Sequence, residues 1–254
     1  MRPRFYVPDL DPAAERVALP ADEAEHLARV LRLGVGAMVE AIDGRGGLWR
    51  AEVVQVDKRS AMIRLIERGE AAPESRVPIT LVSSVLKADK MDDVIRDAVM
   101  LGVAALQPIV SERSAISLET TIRSQRVARW QRIAVASVKQ CGRAVVPRVA
   151  DAVTLATYLA NVGHPFMGCR PPAGIRLLCV EPSAGDAVVR SVHDVPTPAE
   201  AHVIVGPEGG WTPAEVASAL EAGVLPVSLG RRTLRADAVP IVALSAFLTT
   251  WGEI

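Results

Sequence analysis

The sequence predicts an α/β protein in two parts: a small β-rich domain over residues 1–70 and a larger domain over residues 78–254, built on a mostly parallel sheet. Three observations carry this. Short β-prone runs separated by turn residues fill the first part. A charged stretch without apolar period, Glu67 to Pro78, follows and marks a boundary. From Ile79 onward, apolar strand-like runs alternate with helical periods, the pattern of a parallel sheet with helices on both faces.

Taken in order, Phe5-Tyr6-Val7 is a short β-prone run. A helix starts at Pro20-Ala21-Asp22 and stops at Leu33-Gly34, with Leu27, Val30 and Leu31 spaced to share one buried face. His26, Arg29 and Arg32 fall off that face, either as a solvated flank or as a phosphate-contacting edge that Arg2 and Arg4 would join. Val35 to Ile42 and Leu48 to Val56 read as two strands around the turn signal Asp43-Gly44-Arg45-Gly46-Gly47, and Ala61 to Ile66 as a third. Ile79 to Leu86 reads as a buried strand. Asp89 to Leu101 reads as a helix with Met91, Val94, Ile95 and Ala98 on one side and Gly102 as its stop. Ala104 to Val110 is the next strand, Thr121 to Cys141 a long helix and Ala152 to Val162 another. Ile175 to Val180 is a strand ending in Glu181-Pro182; Val203 to Val205 and Leu225 to Leu229 are two more. A last helix covers Ala238 to Trp251.

Half of the 254 residues are hydrophobic and 23% are charged, which suits a soluble chain with a large core. No apolar run reaches the length of a membrane span and no secretory signal is visible, so no membrane partner is expected. Cys141, Cys169 and Cys179 are scattered and odd in number, forming neither a disulfide framework nor a metal-ligand pattern. A reducing cytoplasm is the natural compartment and no metal is expected. The formal net charge is zero, so any basic face is local. Of the 29 cationic side chains 25 are Arg, which suits bidentate phosphate contact but is first of all the mark of a GC-rich coding bias.

Two loops carry the candidate chemistry. Val205-Gly206-Pro207-Glu208-Gly209-Gly210-Trp211 leaves a buried strand and meets Thr212-Pro213-Ala214-Glu215, an N-cap signature with Pro at the first helical position and an acid at the third. The glycines permit close approach of a ligand to the backbone. The spacing is neither G-x-G-x-x-G nor G-x-x-x-x-G-K-[ST], which disfavours a dinucleotide site and an ATPase. A tight turn with no ligand is the other reading. The second loop, Leu229-Gly230-Arg231-Arg232-Thr233-Leu234-Arg235, ends the next strand. Its arginines are either solvated or face an anionic substrate or partner subunit. Ligands of parallel α/β sheets bind at such carboxyl strand ends. On the long helix, Arg129, Arg132, Gln140 and Arg143 are spaced to one side, with Val127, Trp130, Ala134, Val138 and Cys141 on the core side.

Five motifs stand in order: Arg29-Val30-Leu31-Arg32-Leu33, Leu101-Gly102-Val103, Gln140-Cys141-Gly142-Arg143, Val205 to Gly210, and Leu229-Gly230 with Leu234-Arg235. Together they resemble the RsmE-type bacterial 16S rRNA (uracil-N3)-methyltransferases over nearly the whole chain. The resemblance implies an N-terminal PUA-like β-barrel that grips RNA and a C-terminal SPOUT methyltransferase domain. It also implies a homodimer acting on 16S rRNA of the small ribosomal subunit, with S-adenosyl-L-methionine held in a trefoil knot. By matching motif, the methyl donor would touch Glu181, Val205, Gly206, Pro207, Glu208, Gly209, Gly210, Leu229, Gly230, Leu234 and Arg235. Arg143 would be the catalytic residue beside the uracil. RNA would meet Arg2, Arg4, His26, Arg29, Arg32 and Arg113. The chain departs from the family at Met100, where an acid is usual, and at Ala236-Asp237-Ala238-Val239, where Glu-Thr-Ala is usual.

The expected reaction is methyl transfer to uracil N3, with Arg143 stabilising the developing anion and either Glu208 or Asp237 accepting the proton. The competing expectation, supported by the two departures, is a non-catalytic RNA-binding or ribosome-assembly factor of the same fold.

Overall fold

Two stretches far apart in sequence, Met1–Glu74 and Val135–Val146, make one unit of the chain, and Ser75–Ala134 with Pro147–Ile254 makes the other. The structure is a computed structural model and describes residues 2–160, 174–181 and 189–254. The expected end of the helix at 161–162, Cys169 and Pro182 lie outside the described residues.

The first unit is a five-stranded sheet. Its strands are β1 (Arg4–Tyr6), β2 (Val17–Ala18), β3 (Met38–Ile42), β4 (Leu48–Val56) and β5 (Ala61–Arg68), in the order β1-β3-β4-β5-β2. β1 runs parallel to β3, and the other pairs are antiparallel. The β3–β4 turn is closed by the Asp43 carboxylate, which accepts the N–H groups of Arg45 at 2.7 Å and Gly47 at 2.9 Å. Alternation sends Val39, Ala41, Ala51, Val53 and Ile63 inward onto Phe5, Val17 and Leu27.

One expectation fails here. Leu27 is fully buried, but Val30 is 65% exposed and Leu31 38% exposed. Helix α1 (Ala21–Glu25) runs into a π turn, His26–Val30, in which Leu31 N–H donates to the His26 carbonyl at 3.0 Å. The extra residue in that turn carries the following side chains around the axis, so the i, i+3, i+4 face is lost after Leu27. Arg32 then takes a left-handed φ of +53°.

The second unit is an eight-stranded sheet. Its strands are β6 (Ile79–Ser84), β7 (Ala105–Val110), β8 (Arg148–Val149), β9 (Val153–Thr154), β10 (Ile175–Cys179), β11 (Arg190–Ser191), β12 (Ala201–Val205) and β13 (Leu225–Ser228). The order is β11-β13-β10-β12-β6-β7-β8, with β9 also on β7, and every pair among the described residues is parallel. Adjacent residues such as Leu177 and Leu178, or Val203 and Ile204, are all buried, because helices cover both faces. The helices are α2 (Lys90–Met100), α3 (Leu118–Arg123), α4 (Arg126–Cys141), α5 (Leu155–Ala160), α6 (Pro213–Glu221) and α7 (Val239–Thr250). Helix α4 begins in the second unit, and its residues from Val135 belong to the first. None of the described helices is long and apolar enough to cross a membrane.

The expected single helix from Thr121 to Cys141 is two. α3 starts earlier, where Ser117 caps Thr120 N–H, and Gln125 at φ +49° separates it from α4. The helix expected from Ala152 begins at Leu155 instead. Val153 and Thr154 pair with β7, and the Thr154 hydroxyl accepts Thr157 N–H at 3.0 Å.

At the amino end of β12, the Tyr158 hydroxyl meets His202 Nδ1 at 2.6 Å. Burial, and then the charge of Arg176, hold the imidazole down at about 4. Between that value and the unfolded value of about 6.5, the unfolded chain binds more protons than the folded one. The contribution is therefore complete above about pH 6.5 and declines as the pH falls, by up to about 3 kcal/mol. Urea denaturation at pH 7.5 and 4.5 should show this loss, and His202→Phe should reduce it. An equally steep loss in the variant would refute the assignment.

Candidate functional site

Strand order creates the site. β10 lies between β12 and β13, and all three are parallel, so their carboxyl ends are neighbours. The segments that leave them line one cavity of about 280 Å³. That is close to the lower end, about 300 Å³, of ordinary ligand pockets. Glu181 comes from the first end; Val205, Gly206, Pro207, Glu208 and Gly210 from the second; Leu229, Gly230, Leu234 and Arg235 from the third.

The first glycine loop is shaped by Trp211. Its indole N–H donates to the Cys179 carbonyl at 2.9 Å, tying the loop to the end of β10. A Cβ on Gly206 would lie 2.9 Å from the indole Cε2, so only glycine leaves room. Gly210 has φ +67° and faces the Glu181 carboxylate. The loop ends in a full capping box, with Thr212 Oγ1 accepting Glu215 N–H at 3.2 Å and the Glu215 carboxylate accepting Thr212 N–H at 2.9 Å. Glu215 is buried and also accepts Glu112 N–H at 2.8 Å. In the second loop, Gly230 has φ +127° with nothing within 4 Å of where its Cβ would stand.

A fourth wall comes from the segment after β6. Lys90, at the start of α2, puts its ammonium 3.8 Å from Glu208 Oε1 and 4.0 Å from Asp237 Oδ1. Arg235 donates to Asp237 Oδ2 at 2.7 Å, while Asp237 Oδ1 is buried with no hydrogen-bond donor. Glu208 Oε1 also accepts a long hydrogen bond, 3.4 Å, from Lys87 N–H. Cys179 also lines the cavity, but burial pushes its thiol up to about 12, so it stays protonated and is no nucleophile at neutral pH.

Ten of the eleven positions matched to the methyl donor line this cavity. Gly209 stands behind it, packed on Arg113, whose guanidinium donates to the carbonyls of Gly209 at 3.1 Å and Trp211 at 3.3 Å. Arg113 therefore serves as a clamp on the loop. Sequence reasoning missed Lys90 and Trp211. The adjacency of β6 to β12, which brings Lys90 in, is long-range and leaves no local signal. Met100, one of the two departures, is exposed and does not line the cavity.

The remaining candidates lie in the first unit. Arg2, Arg29 and Arg32 are exposed, and Arg29 pairs with Glu25. His26 is half-buried, its ring set edgewise to Phe5 at 6.5 Å. Arg4 is largely buried, donating to Glu40 at 3.0 and 2.7 Å and to the Arg143 carbonyl at 3.1 Å. Arg143 does not continue the polar side of α4 as its spacing predicts. Gly142 turns the chain with φ +93°, and the Arg143 side chain, 4% exposed, makes a two-pronged contact with Glu74 at 3.0 and 2.5 Å. Arg143→Ala should cost about 3 kcal/mol, the low end for breaking a buried pair, because Glu74 keeps some access to water. Urea denaturation checks this, and a loss under about 1 kcal/mol would show the pair to be structurally idle. No group of three or more His, Cys, Asp or Glu among the described residues could hold a metal ion.

A family model described as an RNA methyltransferase domain matches residues 73–248, and one described as an RNA methyltransferase PUA domain matches residues 19–66. Ribosomal RNA small subunit methyltransferase E of Synechocystis is 33% identical over 229 residues, covering 90% of this chain and 71% of the relative. The Bacillus subtilis protein of that name is 28% identical, covering 92% of this chain and 90% of its own. Among solved structures, ribosomal RNA small subunit methyltransferase E of Neisseria gonorrhoeae, bound to S-adenosylmethionine, superposes with a TM-score of 0.86 at 32% identity, covering 99% and 98% of the two chains. A methyltransferase from Legionella pneumophila, in complex with the same cofactor, gives 0.87 at 25% identity, covering 98% of each.

Proposed function

This chain belongs to the RNA methyltransferase family that includes ribosomal RNA small subunit methyltransferase E, and from that premise we propose that it methylates N3 of a uridine in 16S rRNA with S-adenosylmethionine as donor. The observation that carries the reading is the cavity walled by two glycine loops at adjacent parallel strand ends. It fits an adenosine-bearing ligand because the bare face at Gly230 leaves space for close approach to the backbone. The non-catalytic alternative is disfavoured, because both glycine loops are intact and the second departure still supplies an acid, Asp237, to the cavity.

Bound there, S-adenosylmethionine supplies a methyl group already activated on a sulfonium. The chain contributes position and charge. Backbone groups of Gly206 to Gly210 and of Leu229-Gly230 hold the donor, with Glu181 at the third edge. Asp237 Oδ1 takes the proton from uracil N3; among the described residues of the cavity it is the buried carboxylate oxygen left without a hydrogen-bond donor. Arg143 stabilises the uracil anion that forms, from the partner protomer of a homodimer. In support of the dimer, α7 is apolar nearly all round, with Ile241 39% and Val242 37% exposed. Residues 1–70 act as the PUA-like RNA grip through Arg2, Arg29 and Arg32, residues 78–254 as the knotted SPOUT domain, and the cytoplasm is the place of action. Calorimetry with S-adenosylmethionine tests the reading: a saturable heat is expected, and its absence at high protein concentration would return the non-catalytic alternative.

A further inference from the structure

A second cavity, of about 340 Å³, adjoins the first. Glu181 and Gly230 line both. The other walls include Arg190 and Ser191 from β11, the outermost strand of the sheet, and Ser228 and Arg231 from β13 and its loop. Two arginines thus line one concavity, one from the edge strand and one from the loop after β13. Both arginines are exposed, and neither has an ion pair or side-chain hydrogen bond among the described residues. Their neighbours differ: Arg235 is neutralised by Asp237, and Arg113 is spent on two carbonyls. Among the described residues that line it, the acid is Glu181, one charge against two. The consecutive residues Arg231 and Arg232 line different cavities, the second and the first. A ligand passing over the Gly230 turn would meet a guanidinium on either side, and Gly230 presents no side chain between them.

Resting on the methyltransferase reading, we propose that Arg190 and Arg231 form a phosphodiester subsite that grips the RNA strand beside the nucleotide being methylated. Planar guanidinium forks match phosphate oxygens, and an outer strand beside the donor cavity is where a long polyanion has access. The contact also lets a chain of zero net charge hold RNA next to its reactive centre. A second anion, the carboxylate of the methyl donor, has the same chemistry, and the test separates the two.

The experiment is filter binding of protein-free 16S rRNA to the full chain across a potassium chloride series, beside calorimetry with S-adenosylmethionine. Each phosphate contact contributes about 0.7 to the slope of log affinity against log salt for single-stranded RNA. Arg190→Gln with Arg231→Gln should therefore flatten the slope by about 1.4 while leaving donor affinity within about twofold. Replacing both by Lys should retain the slope, since charge is kept. An unchanged slope in the Gln variant overturns the proposal. So does an unchanged slope with weakened donor binding, which would assign the arginines to the donor's carboxylate. A wild-type chain that binds neither RNA nor donor would overturn the methyltransferase reading itself.

Discussion

Asp237→Asn is expected to lower kcat by about 10²- to 10⁴-fold, the usual contribution of a positioned general base. The substitution keeps the shape and an oxygen for Arg235, which now donates to Oδ2 at 2.7 Å. It removes the basic Oδ1, which is buried without a hydrogen-bond donor and has Lys90 Nζ no nearer than 4.0 Å. That separation exceeds hydrogen-bond reach, so the ammonium does not occupy its lone pair. The affinity for S-adenosylmethionine and the KM for RNA should move little. Glu208→Gln is the comparison, because Glu208 faces the same ammonium at 3.8 Å but is 28% exposed. It should cost less than about tenfold. If Asp237→Asn turns over at the wild-type rate, or if Glu208→Gln carries the large loss, the proton goes elsewhere.

Gly206→Val is expected to weaken S-adenosylmethionine binding at least about a hundredfold, or about 2.7 kcal/mol. A Cβ at this position meets the Trp211 indole at 2.9 Å, and that indole N–H is the bond from the loop to the Cys179 carbonyl. Displacing the ring detaches the β12 loop from the end of β10, so two of the three donor walls lose their register. Calorimetry measures the affinity, and a thermal melt separates it from a general loss of stability. Overpacking at one site typically costs about 1–3 kcal/mol, which the fold can absorb. Wild-type affinity in a folded Gly206→Val variant would show that this loop does not hold the donor.

The parts of the site legible in the sequence are those with local chemistry. Gly206-Pro207 stops a strand and Thr212-Pro213 with Glu215 starts a helix, and the structure shows both, including each hydrogen bond of the capping box. The buried strands ending at Cys179, Val205 and Ser228 were likewise written in apolar runs. Their spatial order was not. β10 lies between β12 and β13 although both follow it in the chain, and no local pattern encodes that pairing. The same long-range pairing of β6 with β12 brings Lys90 to the cavity. The two-residue strands β2, β8, β9 and β11 are too short to show a period. Side-chain directions went astray at two places because the backbone leaves the regular helix. The π turn after Glu25 exposes Val30 and Leu31, and the left-handed Gly142 turns Arg143 inward onto Glu74.

The inward turn matters for the role of Arg143. Its contact with Glu74 makes it structural as well as a candidate for transition-state stabilisation, so rates of Arg143→Ala are informative only where the variant is folded. A rate equal to wild type with RNA still bound would leave the residue its structural part alone.

The most direct test is nucleoside mass spectrometry of protein-free 16S rRNA and of small ribosomal subunits, each incubated with the purified chain and methyl-labelled S-adenosylmethionine. Labelled 3-methyluridine in at least one of the two substrates, at one position and lost in Asp237→Asn, is the predicted result. Label in another nucleoside, or none in either substrate under conditions where calorimetry shows the donor bound, would contradict it.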